Sequence, residues 1–300
     1  MGIVLSDIET KNLDYNDEVQ AKEIILRFKK EYLHNNIDNL KDFSFWTIAG
    51  NPNFDGTCSP NSLKKFDGDH TILAYAIARL IYQDFDFSSF VLGTDLTGDT
   101  INTFRTLFGN RFYFKDNDNG ETLIEKRFCF SEEEKQKRND FFYKYQTVGN
   151  FSLLPCEILL CNLTKNPRLQ NQSINTFRGT VSNWKDYFDV FLGKLDKCLN
   201  STNLINKDEI FLRELLLKGN NKKFFFDFCE GSSTKFKSIF LLDDYSEKLF
   251  PHPANYYFGA FRYKGKLDLY KKFAFTYIDI ANELIDRRSL EIIKRLKKVL

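Results

Sequence analysis

The sequence predicts an α+β fold, in which mixed helices pack on a small, mostly antiparallel sheet and a long helix ends the chain. Apolar residues recur at helical spacing over residues 17–37 and again from about residue 267 onward, which is typical of amphipathic helices. Short apolar runs bounded by turn-forming residues, such as FSLLP at 151–155, are typical of strands. Both kinds of element are therefore expected around one core.

The first half of the chain mixes helices and strands. Asp69 stands where an N-cap is expected, ahead of an apolar helix over residues 70–83 that is predicted to be buried. Residues 99–108 predict a further helix that ends before a glycine. Ser131 and Glu134 have the spacing of a capping box, which predicts the start of a strongly polar helix.

The second half is predicted to be more helical. Its apolar periodicity indicates helices at about 181–199, 207–218 and 267–300. Two phenylalanine-rich runs between them, 222–230 and 236–244, predict strands of one sheet because aromatic residues favour strands.

Composition places the chain among ordinary globular proteins. Hydrophobic residues make up 42% and charged residues 28%, far from the composition of disordered chains. The 32 phenylalanines and 14 tyrosines, against one methionine, predict a core filled by aromatic rings. The 43 basic and 41 acidic residues are interspersed, so no long-range field is expected to steer the chain to nucleic acid or membrane.

The cysteines predict a reducing compartment. Six are scattered without C-x-x-C spacing, so no disulfides are expected. The sequence has no apolar run long enough to span a bilayer and no secretion signal at its start. We therefore expect a cytoplasmic protein without a membrane partner.

A domain boundary is most plausible near residues 146–150, where the polar helix ends. The division is then an N-terminal mixed helix and strand region, 1–146, and a C-terminal region, 147–300, with a strand-turn-helix core and the terminal helix. One continuous domain is the alternative, because no linker-like segment separates the two.

The last helix ends in basic residues, which are Arg287, Arg288, Lys294, Arg295, Lys297 and Lys298. One interpretation is a solvated helix end whose cations complement the helix dipole. The other is a tail that binds phosphate. The sequence favours the first.

One stretch carries a family resemblance. The chain reads T-V-G-N-F-S-L-L-P from Thr147 and I-N-T-F-R-G at 174–179. These segments resemble an uncharacterised bacterial protein family with a T-I-G-G-x-x-x-F-P strand and a T-I-N-G-A-R-G turn, over about residues 140–245. Asn150 stands where the family has its second glycine. The resemblance implies a bacterial protein, and the type of family implies a role in phage defence or the stress response.

The same segments predict a ligand site. An arginine in a turn at a helix entrance suits anion recognition, because the guanidinium is a planar fork and the helix start offers free N–H groups. The predicted ligand-binding residues are Thr147, Gly149, Asn175, Arg178 and Gly179. The alternative is that Asn175 and Arg178 bind neighbouring carbonyl groups and only hold the loop in place.

Two groups of residues are catalytic candidates. Arg27 and His34 have the spacing of the Arg-His pair in the HEPN-type ribonuclease family, which this stretch resembles. Asp67, Asp69 and His70 could combine a general base with carboxylates. The three histidines of the chain lack metal-ligand spacing, and the fingerprints of nucleotide-binding loops are missing, so neither a metal nor another cofactor is expected.

These observations leave two functions open. The first is an intracellular binding protein that recognises an anionic ligand, an RNA or a partner protein. The second is a ribonuclease-type toxin or another phosphate-directed enzyme. The sequence alone does not decide whether the protein is an enzyme.

Overall fold

The computed structural model describes residues 13–45, 68–102, 129–155, 188–248 and 267–300. Helices dominate and surround a two-stranded antiparallel sheet, so the predicted α+β class is confirmed. The α-helices are α1 (Glu18–Tyr32), α2 (Ile72–Ile81), α3 (Glu132–Tyr145), α4 (Phe188–Asn200), α5 (Lys207–Leu216), α6 (Gly219–Lys222), α7 (Ser233–Ile239), α8 (Asp243–Lys248) and α9 (Leu267–Val299). The strands are β1 (Leu96–Thr100) and β2 (Phe151–Pro155), and a π-helix spans Lys223–Phe228.

Helix α1 lies within residues 17–37, where a helix is predicted. The carboxylate of Asp17 accepts the backbone N–H of Gln20 at 2.9 Å and so caps the first turn. Ala21, Ile24, Ile25 and Phe28 form the buried face, which packs on α2. The helix ends at Tyr32 because the following residues turn into the left-handed region.

Helix α2 is buried as predicted, but its cap is a different residue. The hydroxyl of Thr71 accepts the N–H of Ala74 at 3.2 Å, so Thr71 is the N-cap and the prediction of Asp69 is wrong. Asp69 lies instead in the 3₁₀ turn Gly68–His70 and is 3% exposed. Threonine can replace aspartate here because either side-chain oxygen reaches the free N–H groups of a first turn.

The sheet joins distant parts of the chain. β1 pairs with β2 in antiparallel register, from Leu96 opposite Pro155 to Thr100 opposite Phe151. β1 covers part of the segment in which 99–108 was predicted to be helical, so that prediction is wrong for its first residues. The pairing also crosses the candidate boundary at 146–150, and the hydrophobic core of the described residues is continuous across it.

The phenylalanine-rich runs are helical, and their prediction as strands is wrong. The first forms the π-helix, and the second runs from the last residues of α7 into the start of α8; Ser232 caps α7 through the N–H of Lys235. Phe224 touches both Phe236 and Phe240, with ring centroids 5.7 and 5.8 Å apart. Aromatic enrichment favours strands only as a weak tendency, and packing between these rings overrides it.

The long helix α9 carries a buried cation into the core. Arg288 is 3% exposed, so the prediction of a solvated helix end is wrong for this residue. Its Nε and Nη2 donate to the carbonyl oxygen of Phe240, and its Nη1 donates to those of Gly149 and Phe151. Nη2 also donates to the hydroxyl of Tyr82. All five N–H groups of the guanidinium therefore have acceptors.

The segment before β2 fits closely against α9. A Cβ atom on Gly149 would lie 2.2 Å from the carbonyl oxygen of Ile285 and 2.3 Å from the hydroxyl of Ser289, which leaves room only for glycine. The next residue, Asn150, is fully buried, and its side-chain oxygen accepts both the backbone and the side-chain N–H of Asn102 at 3.0 Å. Asn150 therefore supplies an acceptor that a second glycine would lack.

The sequence predicts neither a membrane-spanning helix nor a disulfide, and the described part of the chain bears on both. None of its helices combines the length and the apolar character needed to cross a membrane. Cys129, Cys198 and Cys229, the cysteines in the described ranges, are not in disulfide bonds.

We predict that Arg288→Met strongly destabilises the fold. The methionine would fill much of the volume but leave the carbonyl oxygens of Phe151 and Phe240 without this donor, whereas that of Gly149 keeps the hydroxyl of Tyr245. Each unsatisfied buried group costs about 1–3 kcal/mol, so the free energy of unfolding should fall by about 3 kcal/mol or more. Urea unfolding followed by circular dichroism measures this loss.

Arg287→Met is the matched control. Arg287 is the neighbouring residue, is 49% exposed and pairs with Asp244 and Glu283 at the surface. Its substitution should change the free energy of unfolding little, because exposed ion pairs contribute little. Equal losses in the two variants would contradict the structural role assigned to Arg288.

A groove between helices α3 and α9

A groove runs between α3 and the first turns of α9. Its volume is about 520 Å³, within the range of ligand-binding clefts. α3 and its N-cap contribute Ser131, Glu133, Glu134 and Lys137, and α9 contributes Lys271, Lys272, Phe275, Thr276 and Asp279. Local chemistry sets the α3 side: the Ser131 hydroxyl accepts the N–H of Glu134, and the Glu134 carboxylate accepts the N–H of Ser131, which fixes the helix start at the groove.

Two ion pairs cross the groove. Lys271 of α9 lies 2.6 Å from Glu134 of α3, and Lys137 of α3 lies 2.6 Å from Asp279 of α9. Lys271 and Asp279 are eight residues apart on one helix, so the two pairs lie about 12 Å from each other along the groove. Since they connect the helices at two points, they hold the width of the groove.

The floor of the groove is aromatic. Phe275 is 8% exposed and meets the ring of Phe130 edge to face, with centroids 5.4 Å apart. The ammonium group of Lys137 lies 5.8 Å from the Phe275 centroid, and that of Lys271 lies 5.5 Å from the Phe130 centroid. The ring faces attract these cations, so the paired lysines are held from two sides.

The carboxylate of Glu134 is ionised at neutral pH. Its partial burial alone would raise its pKa, but hydrogen bonds from Lys271 and from the backbone N–H of Ser131, with the charge of Lys271, lower the pKa below its ordinary value of 4.5. The Glu134–Lys271 pair is therefore charged on both sides.

Two charged residues of the groove are available to an occupant. Lys272 and Glu133 are exposed, and neither makes an ion pair with a residue in the described ranges. They lie on opposite walls, Lys272 on α9 and Glu133 on α3. The groove thus offers an occupant one positive and one negative charge beside an aromatic floor.

The residues of the predicted anion site are placed only in part. Thr147 and Gly149 are buried, and the hydroxyl of Thr147 donates to the carbonyl oxygen of Lys144 at 2.8 Å. The carbonyl oxygen of Gly149 accepts from Tyr245 and Arg288. Asn175, Arg178 and Gly179 lie outside the described residues. The anion site therefore stays a prediction, and its two described members are engaged within the core.

The Arg-His pair does not lie on one helix. Arg27 belongs to α1 and pairs with Glu23, whereas His34 follows the helix end and has a φ of 51°. The six-residue spacing therefore does not place both side chains on one helical face. The ribonuclease interpretation stays a prediction without this support.

The other catalytic candidates lie apart from the groove. Asp69 is buried beside β1, where its carbonyl oxygen would lie 1.8 Å from a Cβ atom on Gly98. Asp67 and the side chain of His70 lie outside the described residues. Asp69 does not line the groove.

Two sources of catalytic chemistry, a metal cluster and the buried thiols, give no evident centre among the described residues. These residues contain no group of three histidine, cysteine, aspartate or glutamate residues that could hold a metal ion. Burial raises the pKa of the Cys198 and Cys229 thiols to about 12, which keeps both protonated and poorly nucleophilic.

The groove was not predicted from the sequence, although the spacing of its residues on α9 and α3 indicates it. Lys271, Phe275 and Asp279 recur every four residues and so share one face of α9, and Glu134 and Lys137 share one face of α3. Opposite charges flanking an aromatic residue on one helix fit an interhelical seam, but the partner helix lies more than a hundred residues earlier in the chain.

Comparison with models of known protein families, with curated proteins and with solved structures found no match to the chain.

We predict that Glu134→Gln weakens the fold only above acidic pH. Glutamine can still serve the capping box, so the variant loses the charge facing Lys271 and little else. Because the folded-state pKa of Glu134 is lowered, its stabilising effect is present above pH 4.5 and is lost as the pH falls through the folded-state value. The expected loss at pH 7 is at most about 1 kcal/mol after solvent screening.

Urea unfolding at a series of pH values between neutral and strongly acidic measures the difference between variant and wild type. Glu132→Gln is the control, since Glu132 is 89% exposed and, among the described residues, pairs with Lys135 of its own helix. A Glu134→Gln difference that stays constant down to the most acidic pH would contradict the assigned ion pair.

Proposed function

We propose that the chain is a binding protein that recognises a segment of a partner protein in the α3/α9 groove. The observation that carries this proposal is the mixed charge of the groove. Fixed groups of both signs surround an aromatic floor, and such a surface complements a peptide, whose side chains also combine both signs with apolar groups.

An RNA ligand fits the groove less well. Binding to a phosphate backbone depends on cations that release counterions, and it is opposed by carboxylates. Here Lys137 and Lys271 are already neutralised by Asp279 and Glu134, and Glu133 faces the same space. A small multiply charged anion would meet the same carboxylates.

The size of the groove suits a short extended segment. The α9 wall from Lys271 to Asp279 is about 12 Å long. An extended chain advances about 3.3 Å per residue, so about four residues of a partner would lie along this wall. Contacts of this number favour a moderate affinity of the kind seen in transient interactions.

We further propose a cytoplasmic setting for this interaction. The cysteines Cys129, Cys198 and Cys229 are not in disulfide bonds, which favours a reducing compartment.

The test is selection from a displayed library of random peptides of roughly 12 residues, long enough to cover the groove. We expect the selected peptides to bind the wild-type protein and to lose affinity at least ~10-fold with Thr276→Tyr. Thr276 is an exposed residue of the groove, and a tyrosine there would occupy the space of the peptide. Isothermal titration calorimetry measures both affinities.

Thr202→Tyr is the matched control, because Thr202 is exposed between α4 and α5 and does not line the groove. This variant should bind the selected peptides like the wild type. A selection without any peptide that distinguishes Thr276→Tyr from Thr202→Tyr would refute the proposal. A second outcome would also refute it. If no peptide bound, and a random pool of RNA oligonucleotides of roughly 20 nucleotides bound in a salt-sensitive way that Thr276→Tyr abolished, the groove would be a site for RNA.

A further inference from the structure

We infer that the segment bound in the α3/α9 groove carries an acidic side chain for Lys272, a basic side chain for Glu133 and an apolar side chain over Phe275 and Thr276. This inference rests on the proposed function and specifies the chemistry of the partner.

The charges expected on the bound segment follow from which charged groups of the groove are already in ion pairs. Four of its charged groups form the two cross-helix ion pairs, Lys271 with Glu134 and Lys137 with Asp279. An occupant that bound one of these groups would have to share it with its partner in a pair whose lysine also lies over a ring face. Lys272 and Glu133 carry no such commitment among the described residues, so they are the charges available to a partner.

The two uncommitted charges face the occupant from different helices. Lys272 lies on the α9 wall and Glu133 on the α3 wall. In an extended segment, successive side chains point to opposite sides. An acidic residue directed to α9 and a basic residue directed to α3 are therefore expected at adjacent positions of the partner.

The apolar position follows from the spacing on α9. Lys272 and Thr276 are one helical turn apart, about 6 Å along the axis. Side chains on one face of an extended chain repeat every two residues, at about 6.4–6.8 Å. A residue two positions from the acidic one would thus reach the methyl group of Thr276 above the groove floor at Phe275. The expected pattern is acidic, basic, apolar in consecutive positions, read in either chain direction.

A charge-exchange experiment on peptides selected as above tests this pattern. Lys272→Glu should weaken the binding of a selected peptide about fivefold, the size expected for an exposed ion pair. Replacing the acidic residue of that peptide with lysine should weaken its binding to the wild type similarly and restore it with Lys272→Glu. Glu133→Lys, combined with a glutamate at the basic position, should behave in the same way.

Lys298→Glu is the control for overall charge. Lys298 is exposed near the opposite end of α9, so its reversal changes the net charge equally without touching the groove. Peptide affinity should be unchanged in this variant.

The outcomes separate the two levels of the proposal. Failure to obtain any groove-dependent peptide refutes the proposed function itself. Groove-dependent peptides whose affinity responds equally to Lys272→Glu and Lys298→Glu, or is not restored by the exchanged charge, refute the recognition pattern and leave the groove as a binding site. Restoration in both exchanges supports it.

Discussion

The structure depends on one buried cation, the guanidinium of Arg288. A charge in a protein interior is costly unless its hydrogen bonds are satisfied, and here neutral oxygens provide every acceptor. These oxygens belong to Tyr82 after α2, to Gly149 and Phe151 around the start of β2, and to Phe240 after α7. Arg288 therefore connects α9 to three segments that are far apart in the sequence, and each of them is fixed by the same planar group.

The approach of Gly149 to α9 is a condition for this arrangement. Because no Cβ atom separates the backbone of Gly149 from Ile285, the carbonyl oxygen of Gly149 can turn toward Arg288 and also accept the hydroxyl of Tyr245. The helix that carries Arg288 also forms one wall of the α3/α9 groove. Phe275 of the groove precedes Arg288 by 13 residues, so the two lie about 20 Å apart along the axis of α9. The ion pair of Lys144 with Asp286, at 2.6 Å, continues the seam from the groove toward the buried cation. The core contact thus sets where α9 runs, and the seam sets how α3 lies beside it.

The sequence could predict those elements whose determinants are local. α1 follows from its spacing and Asp17, α3 follows from the capping box of Ser131 and Glu134, and α9 follows from its long periodicity. It could not predict elements decided by distant contacts. The π-helix forms because Phe224 packs on Phe236 of α7 and on Phe240 just after it, and no local pattern distinguishes such a run from a strand. Arg288 stands among basic residues that look equally solvated, and only the acceptors brought by three other segments distinguish it. The groove requires α3 and α9 to be neighbours, which a single sequence does not reveal.

The charge pattern of the chain and its proposed recognition mode have a common physical basis. With 43 basic and 41 acidic residues, long-range attraction to a partner is nearly absent, so recognition must depend on groups in contact. Ion pairs that bridge α3 and α9 place the remaining charges of the groove at fixed positions, and position then decides which partner fits. A partner with the wrong order of charges would leave Lys272 or Glu133 facing a like charge, and this repulsion adds to the loss of the matched ion pair. Selectivity of this kind needs a rigid frame, and the buried guanidinium of Arg288 on the same helix provides it.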